Sequence, residues 1–154
     1  MRESSFESCL MTREENLNRF DGTRTLNPDE LQNLFAKLDD PYRAIAQLFY
    51  LTAGRIGEVL LLEADHITDE HLLFPARSAK LRVNRTAKIT EPLAKVLARV
   101  KPVSGYLFPT GRGDHITAMA VNDRVKRAAM LLGYEGVNLH SIRQCSFVHL
   151  HEQG

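Results

Sequence analysis

The sequence predicts an α+β fold that is mainly helical, with one small antiparallel sheet. Apolar residues recur at helical spacing through most of the chain, whereas residues 71–75 and 85–90 are typical of two short strands. A basic loop over 78–84 joins these two segments, so we expect a β-hairpin or a three-stranded sheet. The chain has 154 residues, 44% hydrophobic and 25% charged, which is typical of one soluble domain with a real core.

Residues 1–24 differ from the rest of the chain. They show no sustained apolar period and are rich in Ser, Glu, Asn and Arg, which predicts a tail or linker. The folded domain is predicted over residues 25–154. Its first helix has Asn27 as the N-cap and Pro28 at the first helical position. The apolar side chains of this helix follow at helical spacing: Leu31, Leu34, Phe35 and Leu38.

The later elements follow from the same patterns. The segment 42–50 is almost wholly apolar, so we expect it to form a central helix. Gly133 ends a long helix that Thr117 caps. The remaining predictions are a helix after residue 55 that runs into the segment 65–67, a helix over 92–100, extended pieces at 106–109 and 137–139, a loop over 111–114, and a last helix over 140–154.

Several classes of protein and site are disfavoured. No apolar run approaches the ~20 residues of a membrane span and Met1 precedes no signal-type region, so we expect a cytoplasmic protein without membrane contact. Cys9 and Cys145 form no disulfide framework, and Cys145 is expected to be buried. No cysteine or acidic partner lies at zinc spacing from His140, His149 or His151, so we expect no metal and no cofactor.

Positive charge is concentrated in one part of the chain. Residues 77–101 carry eight basic side chains and one acidic side chain, within a chain of net charge +1. Such a block can attract a polyanion such as nucleic acid. The alternative is a solvated hairpin and helix face.

Arg55 stands alone among apolar and small residues. Glycines at Gly54 and Gly57 allow a backbone or a phosphate to come close to it. A cation in this setting needs an anion. The anion could be a phosphate, or it could be Glu58 or Glu63 of the same helix.

Several segments of the chain resemble those of one family, the tyrosine recombinases or phage integrases. Residues 51–58, LTAGRIGE, resemble its first arginine box, and residues 140–143, HSIR, resemble its His-x-x-Arg box. The ending LHEQG at 150–154 fits the Leu-x-Glu-x-Gly that follows that box. The strand–loop–strand over 71–90 is similar to the hairpin that carries the family's lysine, and YLFP at 106–109 matches a recurrent segment.

This resemblance spans about residues 26–154. It implies an integrase-like catalytic domain that, in the intact parent, breaks and rejoins DNA through a 3′-phosphotyrosine. Arg55 and Arg143 would hold phosphate oxygens with planar, bidentate guanidinium groups. Lys80 would act as general acid at the leaving oxygen, and His140 would donate to a phosphate oxygen or assist proton transfer.

The basic hairpin would supply the further contacts to double-stranded DNA. We expect these contacts from Arg77, Arg82, Arg85 and Lys88. Which residue of this loop is the catalytic lysine is open, because other basic residues lie close to Lys80 in the sequence.

The chain departs from the family pattern after residue 154. The second His or Trp and the nucleophilic tyrosine do not follow, and the four tyrosines lie upstream: Tyr42, Tyr50, Tyr106 and Tyr134. We therefore expect the polypeptide as given not to cleave DNA, and an uncovered apolar surface to favour a homo-oligomer. The leading hypothesis is a DNA-binding catalytic-domain fragment of a recombinase. The alternatives are a non-catalytic DNA-binding or regulatory protein, and a helical interaction module of another class.

Overall fold

A computed structural model describes residues 24–75, 85–100 and 104–153, with side chains as far as His149. Within these residues the fold is mainly helical with one small sheet, as predicted. The six α-helices are α1 (Pro28–Lys37), α2 (Tyr42–Thr52), α3 (Ile56–Leu60), α4 (Glu91–Val100), α5 (Ala118–Leu131) and α6 (Leu139–Gln153). The two strands are β1 (His71–Phe74) and β2 (Arg85–Lys88).

Side-chain caps fix the starts of two helices where the sequence predicted them. At α1 the Asn27 side chain accepts the Glu30 N–H at 2.8 Å, and the Glu30 carboxylate accepts the Asn27 N–H at 3.1 Å. At α5 the Thr117 hydroxyl accepts the Ala120 N–H at 3.2 Å. Gly133 follows this helix with φ of +78°, a conformation that glycine adopts without steric cost.

Helix α2 lies at the centre of the domain and contacts α1, α3, α4, α5 and α6. Its sequence explains this position, because apolar or small side chains cover most of its circumference and Ala44, Ile45, Ala46, Leu48 and Phe49 are buried. Burying the side chains of this one helix against five neighbours places its C-terminal end, next to Arg55, on a rigid support.

The sheet is an antiparallel pair of strands. His71 lies opposite Lys88, and Phe74 lies opposite Arg85. Leu72 and Phe74 are buried and attach the sheet to the core. Among the described residues no third strand joins the pair, and the basic loop predicted over 78–84 lies outside them.

Helix α3 is shorter than predicted. The sequence indicated a helix that continues to about residue 65, but α3 ends at Leu60 and a 3-10 turn follows over Ala64–His66. The reason is tertiary pairing, because the Leu62 carbonyl accepts the Leu107 N–H at 3.0 Å and Glu63 forms a β-bridge with Tyr106. Backbone groups used in this way are lost to the helix.

Helix α6 is joined to the beginning of the domain. Cys145 is fully buried, as predicted, and its Sγ accepts the Leu26 N–H at 3.3 Å and donates to the Leu26 carbonyl at 3.4 Å.

In the part of the chain described, no helix has both the length and the apolar character needed to cross a membrane.

Candidate active site

The turn between α2 and α3 presents Arg55 to solvent. Helix α2 stops at Ala53, whose φ of +53° is left-handed, and Arg55 is the extended N-cap residue of α3. The Arg55 side chain is exposed, and no hydrogen bond or ion pair engages its guanidinium within the described ranges. Its backbone N–H donates to Glu58 Oε1 at 3.0 Å, so the residue is held at its backbone.

Arg85 of strand β2 reaches the same turn. Its Nη2 donates to Glu58 Oε1 at 3.0 Å, and its Nη1 lies 3.5 Å from the Thr52 carbonyl. The guanidinium carbon lies 4.1 Å from the centre of the Phe74 ring. The hairpin predicted to carry the catalytic lysine is therefore attached, through its second strand, to the turn that presents Arg55.

Two residues of the second arginine segment lie in the first turns of α6. His140 is exposed and borders an open cleft between the starts of α5 and α6, where Met119 and Asn122 face it. Arg143 is half-buried, with its guanidinium carbon 5.1 Å from the Phe147 ring centre.

Helix α6 packs directly on α2, which leads into the Arg55 turn. The buried Ser146 hydroxyl donates to the Tyr50 carbonyl at 2.6 Å. The Tyr50 hydroxyl is 3.0 Å from Nδ1 of His149. Burial raises the pKa of Tyr50, and the nearby Cys145 contributes to the same shift. The structure thus packs the helix that leads into the Arg55 turn against the helix that carries His140 and Arg143.

Some of the basic residues predicted to act on DNA lie among the described residues, and others lie outside them. Lys88 is exposed at the end of β2. Arg77, Lys80 and Arg82 lie outside the described residues, so their predicted roles stay predictions.

All four tyrosines make local contacts within the fold. Besides the Tyr50 contact, the Tyr134 hydroxyl accepts from Asn33 at 3.1 Å. The remaining two contact Arg124 and His115: the Tyr42 ring centre lies 4.5 Å from the Arg124 guanidinium carbon, and Tyr106 meets His115 edge-on at 5.2 Å between ring centres.

Among the described residues, no group of three or more His, Cys, Asp or Glu side chains could hold a metal ion.

Comparison with known sequences identifies the family. The sequence profile of the Phage integrase family matches residues 24–154. The chain belongs to this family. Membership removes the third alternative, a helical interaction module from another class of protein. A search of curated protein sequences found no significant match.

Solved structures of tyrosine recombinases share the fold of this phage integrase family member. A lambda integrase (75–356) dimer bound to a COC′ core site is 19% identical, with a TM-score of 0.69 over 85% of this chain and 53% of that chain. XerH bound to its difH substrate in a pre-cleavage complex is 17% identical, with a TM-score of 0.68 over 84% and 43%. An integrase from mycobacterium phage Brujita is 19% identical, with a TM-score of 0.70 over 84% and 44%. The chain thus spans about half the length of these proteins.

The contacts that position the two arginine segments were not predictable from the sequence. Ser146 lies 96 residues from Tyr50, and Arg85 lies 27 residues from Glu58. Glu58, which the sequence offered as an anion partner for Arg55, binds the Arg55 backbone N–H rather than its guanidinium. The one available signal was the adjacency of Gly54 to Arg55, which indicated a close approach without naming the group that approaches.

Proposed function

We propose that this chain is the DNA-binding catalytic part of a site-specific tyrosine recombinase, and that Arg55, Arg143, Lys80 and His140 surround the phosphate that is attacked. One observation carries the proposal. A solvent-facing guanidinium, unpaired among the described residues, stands on a turn fixed by Glu58, beside a helix that packs on α6. A cation held in this way is preorganised for an external anion.

The chemistry of strand exchange explains the need for two arginines. A tyrosine oxygen forms a bond to phosphorus while the bond from phosphorus to the 5′-oxygen breaks, which leaves a 3′-phosphotyrosine and a 5′-hydroxyl. The tyrosine proton is lost to a base, and the leaving oxygen gains a proton. Negative charge grows on the non-bridging oxygens in the transition state, so Arg55 and Arg143 stabilise that state more than the ground state.

Lys80 and His140 have separate roles in this proposal. Lys80 donates the proton to the 5′-oxygen as general acid, which typically accelerates such a step by about 10²–10⁴-fold. His140, in the first turn of α6, donates to a non-bridging oxygen or assists proton transfer. The attacking tyrosine is none of the four in this chain, whose contacts lie within the fold.

Double-stranded DNA is the proposed partner. The lambda integrase and XerH structures named above are complexes with DNA, and one of them is a dimer. Exposed Lys88 on strand β2, with Arg77 and Arg82, would contact backbone phosphates. Self-association is also part of the proposal. Large apolar side chains are exposed on α5 and α6: Met119, Met130, Leu131 and Phe147.

DNA binding tests the phosphate clamp. Affinity for a short mixed-sequence duplex, measured by fluorescence anisotropy between about 50 and 200 mM salt, should fall steeply as salt rises. Arg55→Ala and Arg143→Ala should each weaken binding and reduce the slope of log affinity against log salt by about one.

Arg99→Ala is the matched control. It removes the same charge, but the Arg99 guanidinium is already bound to Asp40 and Gln47, each at 3.0 Å. We expect its salt slope to equal that of the unchanged chain. Equal slopes for all four proteins would overturn the proposal.

Covalent chemistry tests the recombinase assignment itself. Fusing the tyrosine-bearing helix of a family relative to the C-terminus of this chain should restore a covalent adduct with duplex DNA that contains the cognate site. In that fusion Lys80→Ala should reduce adduct formation with little change in binding, because a general acid acts on the leaving group. DNA binding without any adduct would favour a non-catalytic role.

A further inference from the structure

We propose that Arg85 is a positioning residue for Arg55 and makes no phosphate contact of its own, an inference that rests on the proposed function of Arg55. In this account Arg85 fixes Glu58, and Glu58 fixes the backbone of Arg55. Strand β2 and the first arginine turn then act as one unit.

Protein groups engage the Arg85 guanidinium on several sides, although the side chain as a whole is 39% exposed. One face lies 4.1 Å from the centre of the Phe74 ring, and Phe74 is the cross-strand partner of Arg85. The nitrogens reach Glu58 Oε1 at 3.0 Å and the Thr52 carbonyl at 3.5 Å. That carbonyl is one of the last four of α2, which have no partner inside their helix and form the negative end of its dipole. A cation fits this position, and Glu58 neutralises it.

The oxygen that binds Arg85 also holds Arg55. Glu58 Oε1 accepts the Arg55 backbone N–H at 3.0 Å while it accepts the Arg85 Nη2–H. Glu58 alone could rotate among several side-chain conformations. With Arg85 bound, the carboxylate is restrained at the N-cap of α3, and the Arg55 side chain starts from a defined point.

Gly54 provides the space for this arrangement. A Cβ atom at position 54 would lie 2.5 Å from Arg85 Nη2 and 3.2 Å from Glu58 Oε1. The first distance is too short for a carbon atom and the second is a tight contact, so any other residue there displaces the Arg85 guanidinium and crowds the Glu58 carboxylate. The glycine next to Arg55 therefore admits an arginine of the same chain, whereas the sequence alone left a phosphate equally plausible.

Lys88 shows the contrast on the same strand. It is exposed near the far end of β2, whereas the Arg85 side chain is 39% exposed and paired. Of these two cations predicted to bind DNA, Arg85 is paired with Glu58, whereas Lys88 has no ion pair among the described residues.

A double-mutant cycle on DNA affinity tests the inference. Arg85→Met should lower affinity for the short duplex about tenfold in the unchanged chain, and should cause no further loss in an Arg55→Ala background, because its effect passes through Arg55. Lys88→Ala should lower affinity and salt slope equally in both backgrounds. A salt-slope decrease of about one for Arg85→Met in the Arg55→Ala background would show a direct phosphate contact and overturn the inference.

Two further variants separate positioning from charge. Gly54→Ala displaces the Arg85 guanidinium without removing its charge, and should reproduce the loss seen for Arg85→Met. Glu58→Gln removes a negative charge, so simple electrostatics predicts tighter DNA binding, whereas loss of positioning predicts weaker binding. Arg85→Lys should restore binding only partly, because an ammonium group cannot stack flat on Phe74 and span both acceptors.

The outcomes distinguish the two proposals. If Arg55→Ala itself leaves binding unchanged, the proposed function fails. If Arg55→Ala weakens binding but Glu58→Gln strengthens it, or Gly54→Ala leaves it unchanged, only the role of Arg85 fails. Thermal unfolding of each variant identifies any that does not fold, and the cycle then uses the folded ones among Arg85→Met, Gly54→Ala and Glu58→Gln.

Discussion

The two arginine segments are positioned by different kinds of interaction. Arg55 stands on a turn held by a charged network, in which Glu58 binds both the Arg55 backbone and Arg85. Arg143 stands on a long helix held by buried neutral groups, including Ile142 and Ser146. The same central helix supports both segments.

The charged and the neutral interactions meet at the C-terminal end of α2. Its Tyr50 carbonyl accepts from the Ser146 hydroxyl, and its Thr52 carbonyl lies within reach of Arg85. Helix ends leave carbonyls without intrahelical partners, and here one is satisfied by α6 and the other by β2. We infer that changes to the core should act on the Arg143 segment, and changes of charge or backbone conformation on the Arg55 segment.

The largest effect on stability should come from the buried apolar residues that hold the Arg143 segment. Ile142→Ala removes a fully buried side chain next to Arg143 and should lower the free energy of unfolding by about 2–5 kcal/mol. Urea unfolding measures this directly. Leu131→Ala, at an apolar residue 69% exposed, is the control and should change stability by less than about 0.5 kcal/mol. Similar losses at both sites would contradict the described burial.

A smaller loss is expected where α6 meets α2. Ser146→Ala removes the donor to the Tyr50 carbonyl and leaves that carbonyl buried without it, at a cost of about 1–2 kcal/mol. The loss should depend little on salt, because both groups are neutral. A strong salt dependence would place this contact with the charged segment instead.

The backbone of the first segment can be made more stable. Ala53 has φ of +53°, which costs a residue with a Cβ about 1 kcal/mol relative to glycine. Ala53→Gly should therefore raise the free energy of unfolding by about that amount, measured by urea unfolding. Ala46→Gly, inside α2, is the opposite control and should be destabilising. A loss for both variants would argue against the left-handed turn.

The smallest effect concerns the exposed ion pair between Arg99 and Asp40. It serves as a reference for the ion pair between Arg85 and Glu58. The hydrogen bond from Arg99 lowers the pKa of Asp40 below its usual 3.8, with a 3.0 Å contact. A lowered carboxyl pKa adds stability above the unfolded value, and this stability is lost as pH falls through the folded value. Arg99→Gln should thus cost about 0.5 kcal/mol at neutral pH, and the part of this cost that comes from Asp40 should disappear once Asp40 is protonated. An acid titration of unfolding free energy checks this, and a cost that is unchanged in acid would contradict it.

Local patterns in the sequence predicted most of the fold. Caps such as Asn27 and Thr117 act within three residues, so their helices begin where the sequence indicated. The predicted length of helix α3 was wrong, because the end of this helix is set by pairing with residues 106 and 107, which no local pattern encodes.

The candidate site was predictable only as a set of motifs. Spacing and the family resemblance indicated Arg55 and Arg143, but the link from Arg85 through Glu58 depends on a strand crossing a helix turn. Such a contact is a product of tertiary packing. It could be found only once the register that sets Phe74 opposite Arg85 was known.

The most direct test of the whole account is a crystal structure of this chain with a short DNA duplex. The central claim is that two cations, 88 positions apart in the chain, bind oxygens of a single backbone phosphate. We predict guanidinium nitrogens of both Arg55 and Arg143 at about 2.7–3.2 Å from those oxygens. If the two side chains face opposite sides of the molecule, or bind phosphates on separate parts of the duplex, the account is contradicted.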